Sequence, residues 1–112
     1  MESILTSIKK LLGITEECSD FDTDILIHIN SALFDLTQMG VGPQNGFSIQ
    51  DDQSKWSDFI DDPSKFESVK TYIFLKVKTV FDPPASATVL EAYNRRISEY
   101  EWRLNAKAET EV

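Results

Sequence analysis

The 112-residue sequence contains few of the residues that build reactive sites, with one cysteine and one histidine. A single cysteine excludes an intramolecular disulfide and suits a reducing compartment. One histidine and one cysteine do not supply the ligand set of a zinc site. The sequence also lacks a glycine-rich phosphate loop and a nucleophile motif. It therefore predicts no metal, no cofactor and no enzyme.

Long apolar runs are also missing from the sequence. No run approaches the roughly 20 residues that a membrane-spanning helix needs. Residues 1–5 have neither the basic start nor the small-residue cleavage site of a secretory signal peptide. We therefore expect a soluble protein that stays inside the cell and does not enter a membrane.

Positive charge is scarce, and the formal net charge is −8. Residues 16–62 hold eleven carboxylates and one lysine, whereas residues 63–81 hold four lysines and one glutamate. This distribution predicts an acidic surface and a modestly basic stripe, which favour head-to-tail contact between copies. The alternative is a solvated acidic face that only keeps the protein soluble. The overall sign disfavours non-specific binding to duplex DNA.

Hydrophobic periodicity predicts a short first helix that ends before Gly13 and a second helix that ends at Met39-Gly40. Asp20 or Asp22 is expected to cap the second helix. This helix is apolar on two faces, so it is either deeply buried or covered by a partner on one side. The first face is formed by Ile25, Ile29, Leu33 and Leu36, and the second by Ile27 and Phe34.

Residues 41–62 form a long connection in which Gly42-Pro43 and Asn45-Gly46 mark turns. We expect an extended excursion with some strand character, either a long loop or a short β-hairpin. Its apolar residues are candidate anchors for a partner protein, because aromatic residues dominate interface energetics. The alternative is that they tuck under the loop as a satellite core. These residues are Phe47, Ile49, Trp56 and Phe59.

Asp62-Pro63 predicts the start of a third helix, which is apolar around most of its circumference and is the expected centre of the bundle. Lys70 and Lys78 flank Phe74 on a side of their own, which adds a candidate interface. The expected core face comprises Phe66, Val69, Ile73, Val77 and Val80.

Phe81-Asp82-Pro83-Pro84 follows the third helix and predicts a hard stop with a stiff corner. Proline cannot continue a helix, and it moves the residue before it out of the helical region. Beyond this corner, Ser86 or Thr88 is expected to cap a last helix.

The last helix has a seam of apolar residues at alternating spacings of three and four, typical of a helix that packs along another. Trp102 lies off this seam and is expected to be exposed in a monomer, which makes it a further candidate anchor. Residues 106–112 are expected to form a flexible tail. The seam is Leu90, Tyr93, Ile97, Tyr100 and Leu104.

The predicted fold is mainly α: a four-helix bundle-like single domain over residues 1–112, with a long loop or short β-hairpin between helices two and three.

Four segments stand out in the order in which they follow one another. They are Leu11-Leu12-Gly13-Ile14, Trp56-Ser57-Asp58-Phe59, Tyr72-Ile73-Phe74-Leu75-Lys76-Val77-Lys78 running into Phe81-Asp82-Pro83-Pro84, and Glu99-Tyr100-Glu101-Trp102-Arg103-Leu104-Asn105. Together with the order of helices, they resemble the head–tail connector (neck adaptor) proteins of long-tailed bacteriophages and prophages. The resemblance covers nearly the whole chain.

The resemblance implies a small structural protein of the virion neck that is assembled in the cytoplasm of the bacterial host. Copies in that family form a ring beneath the portal protein, a dodecamer being one candidate form. The ring presents a platform to the next neck or tail-completion protein. DNA is expected to pass through the ring without specific binding, and the resemblance implies no membrane, cofactor or catalytic residue.

The charge distribution alone is also compatible with a different function. An acidic helical protein can act as a regulator that mimics DNA or binds a host protein, and the acidity of residues 16–62 motivates this alternative.

Overall fold

Five α-helices make up the computed structural model, which describes residues 2–60 and 62–110. No β-strand occurs within these ranges, and the predicted mainly α fold is confirmed. The helices are α1 (Ile4–Leu11), α2 (Asp22–Gln38), α3 (Trp56–Phe59), α4 (Pro63–Phe81) and α5 (Ala87–Thr110). Four of them match the predicted helices, and α3 is a short helix within the predicted connection. Because residues 111 and 112 lie outside the described residues, the flexible tail stays a prediction.

Helix α4 lies at the centre of the fold, where it packs against α1, α2 and α5. It begins as expected, with Pro63 in its first turn and the Asp62 carboxylate accepting from the Ser64 backbone N–H at 2.9 Å. The prediction that Val80 belongs to the core face is wrong, since its side chain is 60% exposed. It sits in the last turn, beyond Val77, which is the last buried position of the helix.

Helix α2 buries its first predicted face, including Ile29 and Leu33, and exposes the second. The predicted cap is wrong, because Phe21 occupies the N-cap position without a side-chain hydrogen bond. The Asp22 carboxylate instead approaches the ammonium of Lys9 on α1, with 2.9 Å between Lys9 Nζ and Asp22 Oδ1. This oxygen makes no hydrogen bond, so the contact is an ion pair without hydrogen-bond alignment.

Lys9 is almost fully buried and organises the segment between α1 and α2. Its ammonium donates to the backbone carbonyls of Glu16 at 3.1 Å and Cys18 at 2.6 Å, in addition to its pairing with Asp22. An unpaired buried charge is costly, so these oxygens are what make the burial tolerable. The polar segment 15–21 is thereby tied to α1.

The connection from α2 to α4 is anchored to the N-terminal residues. An isolated antiparallel bridge joins Ser3 and Lys55, in which Ile4 N–H donates to the Ser54 carbonyl at 3.0 Å. The side chain of Asn30 on α2 pairs with both backbone groups of Ile49, at 2.9 and 2.8 Å. The hairpin alternative is therefore wrong within the described residues, because the extended backbone finds its partners elsewhere in the chain.

Gly42 permits a close approach within this connection. Its φ is +88°, and a Cβ atom at this position would lie 2.4 Å from Cε1 of the Phe59 ring. Only glycine satisfies both constraints, since other residues rarely adopt this φ and the ring is backed by the core. The turn predicted at Gly42-Pro43 thus lets Phe59 pack inward.

The corner between α4 and α5 forms at the double proline. Helix α4 ends at Phe81, and the Asp82 carboxylate accepts from Lys78 Nζ at 2.7 Å. The Phe81 ring meets the edge of the Phe21 ring, with 5.7 Å between centroids. Ser86 Oγ accepts from the Val89 backbone N–H at 3.3 Å and caps α5. Of the two predicted caps, Ser86 and Thr88, the first is confirmed.

Candidate assembly surfaces

The connection between α2 and α4 turns most of its apolar side chains inward. Ile49, Trp56 and Phe59 are between 0 and 3% exposed. Trp56 Nε1–H donates to Ser7 Oγ at 2.9 Å, and its ring lies edge-on to the Phe66 ring at 5.6 Å. These three side chains are core residues, as in the satellite-core alternative, and a partner cannot reach them in the single chain.

Phe47, the fourth residue of this group, is only half-buried and borders a cleft between α2 and the connection. Its ring packs on Phe59 with 5.2 Å between centroids. The cleft has a volume of about 410 Å³, and its lining residues, all within the described part of the chain, are uncharged. We call it the α2–loop cleft. Its lining includes Asn30, Phe34, Gln38, Gln44, Asn45 and Phe47.

The outer face of α2 extends this apolar surface. Ile27 and Phe34 are 60 and 62% exposed and lie seven residues apart, on one face of the helix. The second apolar face seen in the sequence therefore exists and is uncovered in the single chain. The sequence prediction flagged the face but did not count Phe34 among the candidate interface residues, although its spacing from Ile27 was the available signal.

Trp102 is 74% exposed, as expected for a residue off the packing seam of α5. The seam itself is buried at Ile97 and Leu104. Trp102 borders a groove of about 560 Å³ that α2, α4 and α5 form together. Lys76 and Asp35 form an ion pair in this groove, with 3.1 Å between Nζ and the carboxylate.

The lysines of α4 find most of their partners within the chain. Besides Lys76 with Asp35, Lys78 pairs with Asp82, and Lys70 Nζ lies 5.6 Å from the centroid of the Phe66 ring. Phe74, which Lys70 and Lys78 flank in the sequence, is half-buried against the core. The predicted basic stripe is thus largely neutralised inside the molecule, which weakens charge as the main driver of contact between copies.

Four of the eleven carboxylates of residues 16–62 have local structural roles. Asp22 and Asp35 pair with lysines, and Asp58 and Asp62 accept backbone N–H groups at helix starts. Six others are exposed and form no ion pair within residues 2–60 and 62–110. They are Glu16, Glu17, Asp20, Asp24, Asp51 and Asp52.

Tyr72 links α4 to α5 from a fully buried position. Its hydroxyl donates to Glu101 Oε2 at 2.8 Å. Burial, reinforced by the hydrogen bond to Glu101, raises the pKa of the Tyr72 hydroxyl above its ordinary value. The neutral phenol is therefore strongly favoured in the folded protein.

Two further findings concern the described residues as a group. No cluster of three or more His, Cys, Asp or Glu side chains among them is arranged to hold a metal ion. None of the described helices combines the length and apolar character needed to cross a membrane.

Comparison with known proteins extends the resemblance seen in the sequence motifs. The model of a family described as phage connector protein matches residues 4–111. Comparisons with curated proteins and with solved structures give no match. The family match includes all five helices and both candidate surfaces. The chain therefore belongs to the phage connector protein family.

Proposed function

We propose that this protein is a structural head–tail connector whose copies assemble as a ring beneath the portal protein and join the DNA-filled head to the tail. The family match over residues 4–111 carries this proposal. A dodecamer is one candidate form of the ring. The protein's place is then the virion neck, reached from the cytoplasm of the bacterial host, and its work is assembly without catalysis.

Two unlike surfaces of the chain support a ring. A closed ring is built from heterologous contacts, in which one patch of a subunit meets a different patch of its neighbour. The outer face of α2 with the α2–loop cleft is one uncovered surface, and Trp102 on α5 is the other. The two surfaces adjoin at Gln38 of α2, which lines both the cleft and the groove beside Trp102.

The remaining candidate residues take secondary places in the proposal. Phe47 faces a neighbouring copy through the cleft, and Phe74 with Lys70 and Lys78 offers a smaller surface to the portal or to the next neck or tail-completion protein. The corner from Phe81 to Pro84 sets the angle between α4 and α5, and so the direction in which Trp102 projects.

The negative net charge affects how strongly such a ring would bind DNA. The net charge of −8 gives little attraction to phosphate groups, which supply most of the non-specific affinity of proteins for DNA. A channel whose wall weakly repels the phosphate groups lets DNA pass without binding to it. The alternative of an acidic regulator drew on the same charge, and four of the eleven carboxylates of residues 16–62 are engaged in ion pairs and helix caps.

Deletion of the gene from the phage or prophage that encodes it tests the proposal. We expect DNA-filled heads and free tails that do not join, and complementation with the intact chain should restore whole virions. Electron microscopy of necks from complemented particles should show the protein between the portal and the tail. Normal yields of tailed particles without the protein would contradict the proposal.

A further inference from the structure

The groove beside Trp102 is bounded by charged side chains from three helices. Asp35 of α2, Lys76 of α4 and Glu101 of α5 all line its volume of about 560 Å³. Two carboxylates and one ammonium leave the groove with one unbalanced negative charge. The indole and three uncharged side chains complete the lining, the latter being Gln38, Met39 and Asn105.

Glu101 is the carboxylate that carries the unbalanced charge. It forms no ion pair among residues 2–60 and 62–110, whereas Asp35 lies 3.1 Å from Lys76 Nζ. The hydroxyl of the fully buried Tyr72 donates to Glu101 Oε2 at 2.8 Å and so fixes the position of this carboxylate. Because a carboxylate has about four acceptor sites, Glu101 can accept further hydrogen bonds from the groove.

The electrostatic field on this side of the fold is negative. Burial first, then the hydrogen bond and charge of Glu101, and then the charge of Asp35 raise the pKa of the Tyr72 hydroxyl. Both groove carboxylates therefore act on the same buried group, in spite of the ammonium of Lys76. A cation that enters the groove is attracted by this field.

An exposed indole beside a fixed carboxylate suits a guanidinium group. Tryptophan is the best aromatic partner for a cation. A guanidinium is planar, stacks on aromatic faces and matches a carboxylate with its fork of N–H donors, whereas a lysine ammonium is more strongly hydrated and has no fork. The chain's own Arg103, next to Trp102 in sequence, lies instead by Glu99 at 3.5 Å and over the Tyr100 ring at 6.0 Å.

The arginines of a second copy are poor candidates for this place. All three lie on α5, and two of them, Arg96 and Arg103, already pair with Glu99. The third, Arg95, has Glu91 one turn before it and Glu99 one turn after it. Bringing Arg95 of one copy to the groove of another would also bring these carboxylates towards Glu101, between chains that each carry a net charge of −8.

We infer that the groove beside Trp102 receives an arginine side chain from a different protein of the virion neck, an inference that rests on the proposed connector function. The guanidinium stacks on the indole and pairs with Glu101. Since the indole is 74% exposed, the part of it that the guanidinium leaves uncovered remains available to a neighbouring copy.

A titration of the full chain with N-acetyl-arginine methylamide tests the chemistry of the groove. The indole N–H signals of both tryptophans are followed by NMR. The Trp102 signal should shift until the site is saturated, and the signal of the buried Trp56, which donates to Ser7, should not move. The citrulline analogue has the same shape without the charge and should bind at least about threefold more weakly. Equal binding of the two probes would overturn the inference.

A pair of matched variants separates the groove from the general charge of the protein. Glu101→Gln should weaken binding of the arginine probe about threefold or more, because it removes the charge but keeps an acceptor for the Tyr72 hydroxyl. Glu17→Gln makes the same change of charge at an exposed position before α2 and should leave binding unchanged. Equal weakening by both variants would contradict a site in the groove.

A photoreactive side chain identifies the protein that supplies the arginine. Asn105→p-benzoylphenylalanine places a cross-linker in the lining of the groove, and this chain complements the gene deletion. After irradiation of isolated necks, mass spectrometry should find the cross-link on an arginine-containing segment of a different neck protein.

The results in necks separate the inference from the proposed function. Cross-links only to other copies of this chain, or no cross-link in necks that contain it, would overturn the inference while the connector function stands. A chain that is absent from necks but prefers the arginine probe would reject the proposed function and the neck origin of the arginine, and would support only the chemistry of the groove.

Discussion

The two tryptophans of this protein lie in opposite environments, although both looked like partner-facing anchors in the sequence. Trp56, in the connection between α2 and α4, is 0% exposed, whereas Trp102 on α5 is 74% exposed. The difference follows from the backbone of each region. The connection cannot satisfy its own polar groups, so it bonds to Glu2, Ile4 and Asn30, and this draws its side chains inward.

Helix α5 satisfies its own backbone hydrogen bonds and needs only one apolar seam against α4. Its 24 residues extend for about 36 Å, and the residues off the seam remain in solvent. The connection thus buries its large apolar side chains at Ile49, Trp56 and Phe59, whereas α5, the longest described helix, leaves Trp102 exposed. Four predictions test this contrast.

Trp56→Ala should have the largest effect on stability. Removing a fully buried indole leaves a cavity, and we expect a loss of about 3–5 kcal/mol in the free energy of unfolding. Denaturant unfolding followed by circular dichroism measures it. Trp56→Phe should cost less, because only part of the volume and the hydrogen bond to Ser7 are lost. A cost below about 1 kcal/mol for Trp56→Ala would show that the connection is not part of the core.

Tyr72→Phe should cost about 1–2 kcal/mol, since it removes a hydrogen bond to the charged Glu101 but leaves that carboxylate able to reach water. It should also change the pH dependence of stability. The folded protein raises the pKa of Tyr72, so its contribution is present below the unfolded value near 10 and is lost as the pH rises above it.

Unfolding measured on both sides of about pH 10 separates these effects. The intact chain should lose stability over this interval more steeply than Tyr72→Phe, because only the intact chain gains from ionising Tyr72 when it unfolds. Equal slopes for the two proteins would mean that α5 is not joined to α4 through this hydroxyl.

The double change Pro83→Ala, Pro84→Ala should destabilise the protein by about 1 kcal/mol, mainly because the unfolded chain gains conformational freedom. It should also loosen the angle between α4 and α5 and reduce ring assembly. Thermal denaturation and particle assays measure the two effects. If both were unchanged, the corner would be incidental to the fold and to the function.

Trp102→Ala should have the smallest effect on the single chain, within about 0.5 kcal/mol, because the indole is mostly in solvent. Phe34→Ala, at the other surface, should be similarly neutral. Both changes should nevertheless impair the joining of heads to tails, as measured by the yield of tailed particles. A large loss of stability from Trp102→Ala would show that the groove beside it holds the indole as part of the core.

The helices were predictable because their signals are local. The 3.6-residue periodicity, the proline of Asp62-Pro63 and the double proline after Phe81 each act within a turn or two of their own position. The outer face of α2 was predictable for the same reason, since the spacing of Ile27 and Phe34 places them together on any helix. The family resemblance likewise follows from the order of such local segments.

The fates of Lys9, Val80 and Trp56 were not predictable from local pattern. Lys9 is buried because the carbonyls of Glu16 and Cys18 fold back over it, and Val80 is exposed because the core ends one turn earlier. Both outcomes depend on where distant segments stop. The polarity of a side chain does not by itself predict which distant segments will pack against it, and so it does not predict whether that side chain is buried.

The sequence by itself thus determined the helical class, the corner and the membership of a connector family, since these rest on short-range sterics and on motif order. Only the tertiary structure decided which aromatic residues a partner can reach. Burial is a property of the whole packed chain: the backbone of the connection needs bonds that draw Trp56 inward, and the self-sufficient backbone of α5 leaves Trp102 outside.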